Sequence, residues 1–196
     1  SKSEAVIVCG HYDTFWNTVG AYDNGSGVVA LLELARRWST RPPRRPVRLV
    51  FFAAEEWHLA GSRAFAAGMS QEDRDGTAFV INLDGLGRGN LLECSVGPET
   101  FEQSVTAEIE LFATSNRPKL QLSSRFPPLA GTDHAPFYAA GIPSMHLTFN
   151  DWNLLHRPED TPKRAGAGNI AWMVPLVDRL VERLNPAERA PAHDIL

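Results

Sequence analysis

Short apolar runs rich in β-branched residues alternate along this chain with longer segments whose apolar residues recur at helical spacing. The runs predict buried strands over residues 5–9 (AVIVC), 47–54, 78–83 (AFVINL), 90–96 and 143–148, with a short strand and loop within 117–128. Helical patterns cover residues 27–38, 60–69, 99–115, 131–140 and 165–184. This alternation predicts an α/β fold, a three-layer α/β/α sandwich around a mostly parallel mixed sheet.

Length and composition are consistent with one globular domain. The 196 residues suffice for a three-layer core, and no internal repeat or change of composition marks a boundary, so residues 1–196 are interpreted as a single domain. A formal net charge of −4 and the lack of a bilayer-length apolar run favour neither nucleic acid nor a membrane as partner. Cys9 and Cys94 have no CxxC partner, which favours buried thiols over a disulfide.

Two adjacent carboxylates, Glu55 and Glu56, follow the apolar run at residues 50–54. A buried strand that ends in paired acids is costly, because burial and like charges both disfavour ionisation. Taken alone, the pair is better explained as two exposed residues in a turn, since Glu is mostly exposed. The alternative is a metal site, in which one Glu binds the ion and the other moves protons. Neighbours on an extended segment point in opposite directions, so both would not bind one ion.

Residues of the metal-binding type also end two other predicted strands. His11 and Asp13 follow the first strand, and Asp84 follows the run at 78–83. Individually these residues are ambiguous, since a His–Asp pair is common in cores and Asp84 can cap a turn. In open α/β sheets, however, ligands bind beyond the carboxyl ends of the strands. Three strands with such ends therefore favour a metal site over exposed turns.

The order of the motifs is more specific than any one of them. It runs GHYD (10–13), DNGSG (23–27), AEEW (54–57) with GS (61–62), NLD (82–84), TDHAPF (132–137) with GIP (141–143), and HRPEDT (156–161). Over about 150 residues, the chain thereby resembles the co-catalytic di-zinc aminopeptidases, bacterial leucyl-type enzymes whose relatives include glutaminyl cyclases and glutamate carboxypeptidases. The resemblance implies a zinc-exopeptidase-like fold that is shortened at its N-terminus.

Carried over residue by residue, the resemblance implies two zinc ions per chain. Five residues are implied as ligands, two for each ion and one bridge: His11 with Asp84, Glu56 with His156, and the bridging Asp23. Each ion would have three protein ligands and share a water or hydroxide. A cis peptide bond between Asp23 and Asn24 is implied as well.

The resemblance also implies the catalytic and substrate-binding residues. Glu55 would be the general base that activates the metal-bridging water, and Asp13 would orient His11 by accepting its second ring N–H. The expected substrate contacts are Trp57, Asp133, His134 and Tyr138.

The chain departs from the family pattern in three places. Leu155 stands where many members have a Tyr that polarises the scissile carbonyl, and Tyr138, Trp152 and Trp57 are the candidates to replace it. Trp57 and His58 stand where small or aliphatic residues are expected. The first strand begins near residue 5, whereas the family domain opens with a helix and a hairpin. A sheet edge left bare by this would favour a homo-oligomer.

The implied activity is the release of N-terminal residues from peptide substrates. A glutaminyl cyclase-like acyltransferase with one zinc is an alternative, although such a site has no need of His11. A carboxypeptidase would need a basic pocket, for which Arg125 is the only nearby loop arginine. A non-catalytic binding domain is the third alternative, but such domains usually lose metal-binding residues, and all of the implied ones are present here. The family favours a secreted or periplasmic location, although this sequence contains no signal peptide.

Overall fold

The computed structural model describes residues 4–186. Within them lie six strands: β1 (Ala5–His11), β2 (Val47–Phe52), β3 (Thr77–Leu86), β4 (Leu91–Gly97), β5 (Gln121–Arg125) and β6 (Ser144–Phe149). They form one sheet in the order β2-β1-β3-β6-β4-β5. Neighbouring strands are parallel except β4 and β6, which are antiparallel. The carboxyl ends of β1, β2, β3 and β6 therefore meet at one edge of the sheet.

Helices cover both faces of this sheet and make three layers. Within residues 4–186 they are α1 (Gly25–Thr40), α2 (Ala60–Gly68), α3 (Gln71–Asp75), α4 (Glu99–Asn116), α5 (Ala135–Ala139), α6 (Pro162–Ala165) and α7 (Gly168–Arg183). Helices α1, α4 and α7 share one apolar cluster with the sheet, and α2 and α5 share a second, on its other face. The predicted α/β/α sandwich is confirmed.

Alternation along β1 explains how one strand serves both layers. Val6 and Val8 belong to the larger cluster, whereas Ile7 and Cys9 belong to the smaller one. Successive side chains of a strand point to opposite faces, so a strand covered on both sides is apolar throughout. Both cysteines are buried and free, as predicted.

The structure corrects the prediction of a buried strand up to residue 54. Strand β2 ends at Phe52, and all its residues except Phe52 are half-buried or exposed because it forms an edge of the sheet. Phe51 is 36% exposed. Asp84 lies within β3 rather than after it, because the strand runs on to Leu86.

Several helix boundaries differ from the predicted ones. The pattern at 131–140 yields a helix only from Ala135, and the pattern at 165–184 yields α7 from Gly168, with Pro175 inside. Gly166 separates α6 from α7 at a φ of 76°, a conformation that favours glycine. The short helix α3 (QEDRD) has no apolar periodicity to reveal it. The residues beyond 186 lie outside the described part of the chain. Within residues 4–186, no helix is long and apolar enough to span a membrane.

Candidate metal centre

Six side chains with metal-binding atoms meet at the carboxyl edge of the sheet. They form two groups, one of His11, Glu55 and Asp84 and the other of Asp23, Glu56 and His156. Within each group the offered atoms lie within 4.8 Å of one another. His11 ends β1, Asp84 lies in β3, the glutamates follow β2, Asp23 precedes α1, and His156 lies between β6 and α6.

Asp23 connects the two groups. Its Oδ1 lies 3.2 Å from His11 Nε2, and its Oδ2 lies 3.2 Å from His156 Nε2. His11 Nε2 is also 3.3 Å from Asp84 Oδ1, and His156 Nε2 is 3.1 Å from Glu56 Oε2. One carboxylate thus presents an oxygen to each imidazole, which is the arrangement that a bridging ligand requires.

The charges of this cluster call for a cation. Burial, followed by the nearby charge of Asp84, raises the pKa of Glu55 to about 9. Burial and Asp23 raise the pKa of Glu56 to about 7. For His11, burial lowers the pKa, but hydrogen bonds to Asp23 and Asp84 outweigh it and raise the pKa to about 12. Carboxylates this crowded must take up protons or bind positive charge.

The donor set fits zinc. Imidazole nitrogens and carboxylate oxygens are usual zinc ligands, and Glu56 Oε1 is buried without a hydrogen-bond partner in the described part of the chain. Unpaired buried oxygens of this kind are rare unless an ion or water satisfies them.

The backbone around Asp23 is held by its neighbour Asn24. The Asp23–Asn24 peptide bond is cis, as the family resemblance implies. Asn24 Oδ1 accepts hydrogen bonds from the N–H groups of Gly27 (2.9 Å) and Gly85 (3.2 Å), and its Nδ2 donates to Leu83 O (2.9 Å). Asn24 therefore caps α1 and ties it to β3 beside Asp84.

Asp13 supports both His11 and the glutamates, but not entirely as predicted. His11 Nδ1 lies 3.0 Å from the main-chain oxygen of Asp13, closer than to its carboxylate at 3.5 Å. The carboxylate instead accepts hydrogen bonds from the N–H groups of Glu55 (3.1 Å) and Glu56 (3.3 Å). These two residues lie in a turn rather than on an extended segment, which lets both side chains reach the cluster.

A cavity of about 300 Å³ opens at this centre. Glu55, Asp84 and His156 line it together with Thr132, His146, Asn150, Trp152 and Leu155. A larger cleft of about 650 Å³ lies elsewhere, between the loop after α1 and α7. Two acids of this cleft, Glu182 and Asp178, are already paired with Arg44 and Arg37. The cleft is therefore a weaker candidate for the functional site than the cavity at the six donor residues.

Comparison with known proteins identifies the family of this chain. The family model described as Peptidase family M28 matches residues 1–177 of this chain. The chain belongs to peptidase family M28. Aminopeptidase YwaD of Bacillus subtilis is 28% identical over 200 residues, covering 96% of this chain and 43% of that protein. The solved structure of BSAP, a zinc aminopeptidase from Bacillus subtilis, superposes with a TM-score of 0.78 at 25% identity, covering 98% of this chain and 50% of BSAP.

The relatives of this chain include proteins that are not named as peptidases. The BOS complex subunit NCLN of Gallus gallus is 34% identical over 137 residues, covering 60% of this chain and 24% of that protein. This M28 chain thus spans half or less of the length of the relatives it matches here.

Four predicted substrate contacts of this M28 chain do not line the cavity. Asp133 and His134 are fully buried, and Tyr138 is 2% exposed because it packs in the core against Gly97. Trp57 is 76% exposed, in the turn outside the cavity wall. The structure thus places none of these four residues in the cavity wall, although Thr132 of the same TDHAPF segment lines it, and their contact with substrate stays a prediction.

His146 is a cavity residue to which the motifs assign no role. Its Nε2 lies 3.4 Å from Asp84 O, and its ring stacks on His134 with centroids 5.7 Å apart. His146 and Thr148 both line the cavity because they share one face of β6. The alternation within the predicted strand PSMHLT carries that signal.

Asp160 is a second residue whose role emerges only in the structure. It is 1% exposed, and its carboxylate accepts hydrogen bonds from the N–H groups of Tyr22 (2.6 Å) and Asp23 (3.0 Å). It thereby joins the loop of His156 to Asp23. Its position four residues after His156 in HRPEDT is the only signal in the sequence.

Proposed function

We propose that this M28 chain is the catalytic part of a zinc-dependent aminopeptidase that hydrolyses the N-terminal peptide bond of peptides. The observation that carries the proposal is the position of Asp23, whose two carboxylate oxygens each lie 3.2 Å from the imidazole of a different donor group. The names of YwaD and BSAP, an aminopeptidase and a zinc aminopeptidase, support the reaction and the metal.

We assign the ligands to two zinc ions. His11 and Asp84 would hold one ion, Glu56 and His156 the other, and Asp23 would contact both. Zinc bound there would supply a Lewis acid for the scissile carbonyl and make a water molecule more acidic. Glu55 Oε2 lies 3.9 Å from His11 Nε2, farther than Asp23 and Asp84. That distance favours Glu55 as the proton carrier rather than a ligand.

Glu55 would take the proton from the attacking water and return it to the leaving amine. It lines the cavity, and Asp13 holds its backbone. Its pKa is raised by burial and by Asp84, and positive charge beside it would bring the pKa back toward the working range of a general base. Among the candidates for the missing Tyr, only Trp152 lines the cavity.

Two other functions are less well supported. A one-zinc cyclase would leave His11 and its contact to Asp23 without a purpose. A binding domain is suggested by the relationship to the BOS complex subunit, but all six ligand and base positions carry suitable side chains here.

The test combines metal content with turnover. The purified chain, loaded with zinc and dialysed, is expected to hold two zinc ions and to release amino acids from aminoacyl substrates but not from N-acylated ones. His11→Ala should retain at most one tightly bound ion, while Glu110→Gln, on the exposed face of α4, serves as the control. One zinc ion in the unaltered chain, with turnover of N-terminal glutaminyl peptides to the cyclic product, would support the cyclase instead.

A further inference from the structure

The two predicted imidazole ligands are held in very different ways. His11 ends a central strand, its side chain is 1% exposed, and its Nδ1 lies 3.0 Å from Asp13 O. His156 lies in an irregular loop, and its side chain is 42% exposed. Within residues 4–186, the His156 imidazole contacts carboxylates only through Nε2, and its Nδ1 has no hydrogen bond of the kind that usually orients a metal-binding histidine.

An aromatic ring takes the place of that hydrogen bond. The ring of Phe15 stacks on the imidazole of His156, with centroids 4.1 Å apart and an angle of 6° between the planes. A parallel stack restricts rotation of the imidazole while leaving Nε2 free. This is the nitrogen that lies 3.2 Å from Asp23 Oδ2 and 3.1 Å from Glu56 Oε2.

Phe15 is anchored by its backbone rather than by the core. Its main-chain oxygen accepts hydrogen bonds from the N–H (3.2 Å) and hydroxyl (2.9 Å) groups of Thr18. Its side chain is 39% exposed and belongs to none of the apolar clusters of the described chain. The ring is also absent from the cavity wall, whereas His156 is part of it. Phe15 is therefore neither part of an apolar cluster nor part of the cavity wall.

We propose that Phe15 is a positioning residue that holds the His156 imidazole in the orientation needed to bind the second metal ion. The proposal rests on the two-metal centre described above and adds a requirement for an aromatic ring at residue 15. Loss of the ring should release His156, weaken the site formed with Glu56 and Asp23, and leave the site of His11 and Asp84 almost unchanged.

The test measures zinc binding to variants of the whole chain by competition with a chromophoric chelator. Phe15→Ala should weaken the second zinc ion by about 10-fold or more, the range found when partners that orient a ligand are removed, and should leave the first within about 2-fold. Phe15→Tyr, which keeps the stack, should restore binding. Phe15→Leu keeps an apolar side chain without a flat ring and should resemble alanine, which covers the case in which alanine disturbs folding.

Two further measurements make the result specific. Trp16→Ala removes the neighbouring ring, which is 88% exposed, and should leave both affinities unchanged. Cobalt substituted for zinc should show an altered visible spectrum for one of its two ions in Phe15→Ala and the unaltered spectrum in Phe15→Tyr.

The outcomes separate this proposal from the one on which it rests. Unchanged affinities in both Phe15→Ala and Phe15→Leu, with two zinc ions in the unaltered chain, overturn the role of Phe15 alone. A change confined to KM, with zinc binding unchanged, would make Phe15 a substrate contact and also overturn it. Fewer than two zinc ions in the unaltered chain overturn both proposals.

Discussion

At the scale of single residues, Glu55 and Glu56 are neighbours with different surroundings. Glu56 Oε2 lies 3.1 Å from His156 Nε2, whereas Glu55 Oε2 is 3.9 Å from His11 Nε2, and both residues line the cavity. Asp13 holds both backbone N–H groups. The proposed separation of ligand and base would thus depend on a turn that directs adjacent side chains to different imidazoles.

Substitution of the two glutamates should therefore have different consequences. Glu55→Gln keeps the shape but removes the basic oxygen, so both zinc ions should remain while kcat falls by about 10²–10⁴-fold, as for a lost general base. Glu56→Gln removes a ligand, so activity should recover in part as zinc is raised. Measurements of zinc content and of initial rates in the two variants show which glutamate is the base and which is the ligand. Loss of zinc in Glu55→Gln alone would mean that the two roles are reversed.

The raised pKa of Glu55 predicts how the zinc-free chain responds to pH. A carboxyl group whose pKa is higher in the folded state, here about 9, binds more protons when folded. Its contribution to stability is present at low pH and is lost as pH rises toward the folded pKa, by at most about 1.4 kcal/mol per pH unit.

Urea denaturation of the chelator-treated chain between pH 5 and pH 9 measures this effect. The free energy of unfolding should fall more steeply with pH in the unaltered chain than in Glu55→Gln, which cannot titrate at this position. Comparing the two chains removes the contributions of the buried histidines and cysteines. Equal slopes would show that Glu55 is already ionised in the zinc-free fold.

At the scale of elements, the start of α1 is tied to β3 by one side chain. Asn24 makes two acceptor bonds and one donor bond there, and it is fully buried. Gly27 lies so close to Leu83 O that an added Cβ would overlap it, so only a glycine lets the start of the helix approach the strand this closely. Asp23 and Asp84 are the residues next to this junction.

Asn24→Ala should destabilise the chain by about 2–4 kcal/mol, since it removes a helix cap and leaves buried backbone groups unpaired. Asn24→Ser keeps an oxygen that can cap the helix but loses the donor to Leu83 O. Its free energy of unfolding should therefore lie between those of the unaltered chain and Asn24→Ala. Urea denaturation of the zinc-free proteins measures the loss without the effect of metal. A destabilisation below about 0.5 kcal/mol for alanine, typical of an exposed site, would contradict the role of Asn24.

At the scale of the whole molecule, the proposed zinc ions would couple elements that are distant in the chain. The six donor residues come from β1, β3 and the segments that follow β2 and β6 or precede α1. A cation bound by all of them would hold these segments together only in the folded state. It would also neutralise carboxylates that repel one another in its absence.

Removal of zinc should therefore lower the Tm. A ligand that binds only the folded state at 1,000 times its Kd contributes about 4 kcal/mol per site, so the melting temperature should rise by several degrees as zinc is restored. Scanning calorimetry before and after chelation measures the change, and magnesium serves as the control cation. A Tm that does not respond to zinc would contradict a centre built from these residues.

The sequence by itself determined the order of strands and helices, because periods of two and of about 3.6 follow from backbone geometry and need no tertiary contacts. The motifs HxD, DNGSG, EE, NLD and HRPEDT also carry the family resemblance that implied the ligand set, because their order along the chain can be read without tertiary contacts. Element ends such as those of β2 and α7 were less well predicted, because burial at a sheet edge depends on neighbours.

Only the tertiary structure decided which side of each segment faces the centre. Asp133, His134 and Tyr138 belong to a motif yet point into the core, while His146 and Asp160 acquire contacts with Asp84 and Asp23 from segments more than 60 residues away. The stack of Phe15 on His156 joins two loops that no periodicity relates. Such contacts depend on how the elements pack, because the chain order does not specify which side chains meet across two loops.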